Sequence, residues 1–181
     1  MKKITTKQLC IDAMLAALCA VLGYFAIDML SIKITFEGVP VLIGALLFGP
    51  IDGVLIGGVG TFIYQVIRYG ISATTALWIL PYLLYGLVLG FFAKKNKFNY
   101  SKKFPITVVI VLGEMLITAV NTLAIFVDSK IYGYYSVELI TGALGLRILI
   151  CVVKVAVFAI IMPSLVKAIQ KALNLSSEKE N

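Results

Sequence analysis

Six separate stretches of this 181-residue chain are apolar enough to leave water, and the lysines gather in the segments on one side of them. Nothing else in the sequence restricts the fold so strongly. A bilayer core about 30 Å thick takes roughly 20 apolar residues per helix, so six such spans with short connections use the whole length. With 61% hydrophobic residues, 14% charged residues and a mean hydropathy of +1.02, a soluble domain is excluded. The sequence therefore predicts an all-α fold, a single six-helix transmembrane bundle over residues 1–181 embedded in the lipid bilayer.

The spans fall at about Leu9–Leu30, from Val39 to a turn at Gly49-Pro50-Ile51-Asp52-Gly53, and at Val54–Ile67, Thr75–Ala93, Phe104–Val127 and Leu139–Ala168. The second is short, and Pro50 between two glycines marks its end. Lysines 2, 3 and 7 precede the first span, lysines 94, 95, 97, 102 and 103 separate the fourth from the fifth, and lysines 167, 171 and 179 follow the sixth. Six crossings put these segments on one face, which the positive-inside rule assigns to the cytoplasm. The expectation is a multi-pass cell-membrane protein with both termini cytoplasmic. Residues 31–38, 68–74 and 128–138 then face out.

The basic stretch Met1–Lys7 is not read as a signal peptide, because the apolar run after it continues to Leu30 without an A-x-A-like cleavage site. Cys10, Cys19 and Cys151 lie inside spans as small hydrophobes and do not suggest a disulfide framework. Histidine is absent, which removes the commonest general base and metal ligand. Gly57-Gly58-x-Gly60 lacks a Walker lysine and a preceding strand, so it is no phosphate loop. No cofactor is expected. The net charge of +7 follows from topology rather than from a nucleic-acid-binding face.

Polar side chains within the spans are costly unless paired or wet, and they are the candidates for function. Arg147 and Lys154 are seven residues apart on the last span, as are Glu114 and Asn121 on the fifth, so each pair shares a helix face. Depth permits a Glu114–Lys154 ion pair. Arg147, nearer the outer end, has no carboxylate at its level and suits an anionic ligand, with snorkelling to the interface as the plainer alternative. Around the third-to-fourth connection Tyr64, Gln65, Arg68, Tyr69, Ser72, Thr74, Thr75, Trp78, Tyr82 and Tyr85 bring rings together with hydrogen-bonding groups. An interfacial aromatic belt would account for some of them. Trp78, Tyr82 and Tyr85 run inward along one face, deeper than a belt needs, and with Thr74 and Thr75 would line a pocket for a planar heteroaromatic ligand.

Ala13, Ala16, Ala17 and Ala20, with Gly23 beyond, form a stripe of small residues that lets another helix approach closely, inside the bundle or from a partner. This stripe, six spans in under 200 residues, and the segments Phe48-Gly49-Pro50-Ile51-Asp52-Gly53 and Tyr69–Pro81 resemble the substrate-binding components of energy-coupling factor (ECF) vitamin transporters, folate-specific branch. The resemblance implies a membrane receptor without enzymatic activity that captures a vitamin outside and passes it through one membrane-spanning T subunit and two ATPases. It assigns Ala13, Ala17 and Ala20 to the T-subunit contact, with the overlapping register through Ala16 left open. It also implies that the connections after the first and third spans gate the pocket.

On this reading a pterin stacks on Trp78 or a tyrosine, Gln65 and Asn121 supply amides, and Arg68 or Arg147 captures a carboxylate, with Lys154 as a further cation. Riboflavin, pantothenate, a thiamine precursor and a queuosine precursor are the alternative ligands. A lipid-modifying enzyme using Glu114 as base is the rival from another class. Against it, the acids Asp12, Asp28, Glu37, Asp52 and Glu114 are scattered over several depths.

Overall fold

The computed structural model describes residues 5–29, 32–95, 103–142 and 144–173. Lysines 2, 3, 97, 102 and 179, which carry part of the orientation argument, lie outside the described residues. Helix α1 (Thr6–Tyr24) opens on Thr5, whose hydroxyl accepts from the Gln8 amide at 3.3 Å. The apolar run was expected to stay helical to Leu30, but the helix ends six residues earlier and gives way to a short antiparallel hairpin. Strands β1 (Ile27–Met29) and β2 (Ile32–Ile34) pair with Ile27 opposite Ile34. The β-branched isoleucines suit a strand, and pairing satisfies backbone groups that a bare loop would leave open beside an apolar bundle. The all-α expectation thus holds for the bundle and misses this connection.

Helix α2 (Gly38–Leu47) is only 10 residues long, which at 1.5 Å per residue reaches about half the hydrocarbon thickness. It is buried almost throughout, with Val41, Leu42 and Ala45 fully enclosed. Its end is set by Gly49, whose φ of 122° is open to glycine and strained for any side chain, followed by Pro50 at the first position of α3 (Pro50–Tyr69). Helices α4 (Thr75–Lys95), α5 (Lys103–Tyr132), α6 (Val137–Thr141) and α7 (Leu144–Ala172) complete the chain. Besides α2, five segments among the described residues are long and apolar enough to cross a membrane, the last running from Val137 through α6 and α7. The outward surface is correspondingly greasy, with Met14 72% and Ile160 77% exposed.

Backbone contact between helices depends on missing side chains. A Cβ at Gly60 would lie 2.6 Å from the Cys19 Cβ and 2.8 Å from the Ala16 carbonyl oxygen, so α3 can rest directly on α1. One at Gly86 would collide with the Gly53 backbone, which brings α4 onto α3 in the same way. The resulting core of Val41, Leu42, Ile56, Tyr85, Leu89, Ile110, Met162 and Val166 surrounds α2 and closes one half of the bundle.

Candidate ligand site

The other half holds a cavity of about 550 Å³, within the range that takes a small molecule. Its wall on α5 is a single face, with Glu114, Ile117, Thr118, Asn121, Ile125, Asp128 and Tyr132 following the helical repeat. Its wall on α7 is Arg147, Ile150, Cys151 and Lys154, again one face. The seven-residue spacings therefore do place Glu114 with Asn121, and Arg147 with Lys154, around one space. Tyr64, Gln65 and Tyr69 from α3, Trp78 and Tyr82 from α4, and Ser72 and Thr74 from the connection between those helices form the remaining expected lining.

At mid-height Lys154 Nζ lies 2.7 Å from Glu114 Oε2, the ion pair foreseen from depth. Glu114 is 1% and Lys154 12% exposed, so the ammonium is the more accessible partner. Lys154 also sits over the Phe158 ring, 5.7 Å from its centroid. One turn into α7, Arg147 is buried; its Nη1 donates to Thr122 Oγ1 at 3.2 Å, while its Nη2 has no hydrogen-bond partner among the described residues. It is held by a hydrogen bond across to α5 instead of snorkelling.

The aromatic side is stitched by polar contacts. Trp78 Nε1 donates to Asp128 Oδ1 at 3.2 Å, and the Tyr134 hydroxyl donates to the other Asp128 oxygen. Gln65 Nε2 donates to the Tyr64 hydroxyl at 3.0 Å. The hydroxyls of Thr35 and Tyr82 share a hydrogen bond at 3.1 Å, and Thr35 donates onward to Glu37 Oε1 at 3.0 Å. Thr118 and Thr122 return their hydroxyls to the Glu114 and Thr118 carbonyl oxygens, each at 2.8 Å, so their methyl groups are free to face neighbours.

Three expected residues lie outside the lining. Arg68 Nη1 donates to the Tyr24 carbonyl oxygen at 2.8 Å, so this guanidinium ties the end of α1 to α3. Thr75 Oγ1 accepts from the Ser72 amide at 2.8 Å and fastens the start of α4. Tyr85, the innermost ring of the expected stack, is fully buried beneath the cavity against Gly38 and Gly113.

Sequence reasoning missed Thr35, Glu37 and Asp128. Asp128 was placed in an outer connection because the fifth span was ended at Val127, whereas α5 continues to Tyr132 and carries Asp128 on its cavity face. The helical spacing from Glu114 through Asn121 could have found it. No periodic signal points to Glu37, which reaches the cavity from the segment between hairpin and helix.

On α1, Asp12, Ala16, Cys19, Ala20 and Gly23 are buried, whereas Ala13 and Ala17 are exposed. Of the expected contact residues Ala13 and Ala17 thus lie on the open side of α1, whereas Ala20, with Ala16, is turned into the bundle.

A membrane bundle closed in one half and holding an amphipathic cavity in the other is the architecture of a membrane-embedded binding component. The chain belongs to the family described as ECF transporter, substrate-specific component, whose profile matches residues 7–173. A solved structure described as "Crystal structure of FolT bound with folic acid" is similar in fold, with a TM-score of 0.65 and 19% identity over 85% of this chain and 90% of that one. A search of the curated proteins finds no match in sequence.

Proposed function

We propose that this chain captures folate, or a reduced folate, at the outer face of the cell membrane for import driven by partner subunits. The observation that carries the reading is Arg147, a buried guanidinium at the cavity with one nitrogen unpartnered among the described residues, where a ligand carboxylate would complete its hydrogen bonding. Trp78, Tyr64 and Tyr82 offer ring faces and Gln65 and Asn121 offer amides, which suits a flat heterocycle with a charged tail. Lys154 adds a cation deeper in the cavity. The structural neighbour that holds folic acid supports the same choice of ligand.

The same family supports a T subunit and two ATPases as partners, with Ala13 and Ala17 as the helix-docking face and no catalytic role for the chain itself. Lys94 and Lys95 in the last turn of α4, with Lys171 near the end of α7, support the cytoplasmic assignment of the closed half.

Trp78 is the only tryptophan and lines the cavity, so intrinsic fluorescence reads the site directly. Purified protein in detergent, without ATP, should bind folic acid with measurable heat and quench Trp78. Absence of both removes the reading. Riboflavin, pantothenate and thiamine precursors serve as competitors in a thermal-shift panel, where a ligand at 100 times its Kd adds about 2.7 kcal/mol.

A further inference from the structure

Two buried acids that the ligand site does not use face each other where α1 meets the start of α3, about 18 Å along that helix from Tyr64 at the cavity. Asp12 on α1 and Asp52 on α3 are each 4% exposed, and their carboxyl groups lie within hydrogen-bonding reach of one another. They are not equivalent. Asp52 sits in the first turn of α3, where the helix dipole favours a negative charge, and it accepts from Gln8 Nε2 at 2.6 Å. Asp12 lies one turn beyond Gln8, and neither of its oxygens has a hydrogen-bond partner among the described residues. A buried carboxylate left in that state is among the costliest groups a fold can hold.

No cation offsets it. The other charged groups on the elements packed around the pair are Lys7 on α1, Arg68 at the far end of α3, and Lys94 and Lys95 at the end of α4, whereas α2 carries none. The three lysines are exposed and Arg68 reaches the Tyr24 carbonyl oxygen. Neither acid forms an ion pair among the described residues. Two carboxylates in contact, in surroundings that solvate neither, do not both ionise. A proton between them removes the repulsion and supplies the donor that Asp12 lacks.

We propose that Asp12 and Asp52 bind a single proton between them, Asp12 as the acid donating to the Asp52 carboxylate, and that this proton fastens α1 to α3. The inference stands apart from the choice of ligand. It bears on the partner face, because Ala13, the residue after Asp12, is exposed on α1. Loss of the proton sets two anions against each other across the helix contact, so the fastening is complete at low pH and fails as pH rises.

Infrared spectroscopy of the purified protein in detergent, titrated from about pH 5 to about pH 9, reads the proton directly. The chain contains no histidine, so no imidazole titrates across that interval. Wild-type protein should show a carboxylic-acid C=O band at neutral pH that fades as pH rises and is missing from Asp12→Asn. The asparagine amide keeps the shape and donates to Asp52 at every pH. The melting midpoint of Asp12→Asn should therefore lie close to wild type at the acid end and exceed it by at least about 3 °C at the alkaline end. If Asp12→Asn does not fold, Asp52→Asn should remove the same band. A wild-type spectrum that lacks a fading band overturns the proposal, and so does a band that survives in a folded variant or a midpoint difference that stays constant with pH.

Discussion

The Glu114–Lys154 pair gives the sharpest test of the bundle's energetics. Lys154→Met keeps the length and apolar stem of the side chain and removes the charge, leaving Glu114 at 1% exposure without the ammonium that lies 2.7 Å away. Breaking a buried pair from one side costs about 3–5 kcal/mol, because the remaining charge is stranded in a medium that cannot solvate it. At roughly 2–4 °C per kcal/mol for a domain of this size, the midpoint should fall by about 6–20 °C. Replacing both partners, Glu114→Leu with Lys154→Met, removes the stranded charge and should recover most of the loss. Ligand-free thermal unfolding in detergent, followed through Trp78, reads all three proteins on one scale. A single variant within about 2 °C of wild type, or a double variant as unstable as the single one, would refute the reasoning that a paired buried charge joins α5 to α7.

Arg147→Met should weaken folic acid by about 10- to 100-fold while leaving pteroic acid nearly unaffected, measured by calorimetry; equal losses for both would separate Arg147 from the tail. Gly86→Leu should prevent α4 from seating on Gly53 and cost well over 1 kcal/mol, whereas Gly145→Ala, at an open helical position, should stabilise by about 0.5–1 kcal/mol in the same melting assay. Ala13→Trp or Ala17→Trp should abolish co-purification with the T subunit and leave folate affinity intact. Tyr134 supplies a pH dependence: burial first, and then its hydrogen bond to Asp128, push its phenol up to about 12. With the folded value raised, its contribution is complete below the unfolded value near 10 and disappears as pH climbs toward 12. Melting curves over that interval should fall more steeply for wild type than for Tyr134→Phe.

Much of the architecture was legible because lipid imposes a single pattern on any helix that crosses it. Apolar length located the spans, and seven-residue spacing located the two polar faces that enclose the cavity, including the Glu114–Lys154 contact. What escaped was tertiary. Hydropathy cannot distinguish an apolar helix from an apolar hairpin, so its first strand was read as the end of a helix and its second as part of an outer connection. Nor can composition tell a guanidinium at a cavity from one beside it, and Arg68 lies outside the lining with its Nη1 on the Tyr24 carbonyl. Spacing alone does not say which alanines of the α1 stripe turn inward; packing of Ala16 and Cys19 on Gly60 does.

The two halves of the molecule divide labour in a way that constrains how any ligand leaves. Beneath the cavity Val41, Leu42, Ala45, Ile56 and Leu89 are fully enclosed. A close-packed apolar core of that kind offers no path for a polar molecule. Sliding α3 or α4 to open one would break contacts in which backbone meets backbone at Gly53, Gly60 and Gly86. The connection before α2 is different: it is held to α3 by Arg68 and to α4 by Thr35. Polar bonds such as these, unlike the core, can be exchanged for hydrogen bonds to water or ligand at small net cost. On the proposed function, entry and exit share one mouth, and delivery to the opposite side would call for reorientation of the whole bundle.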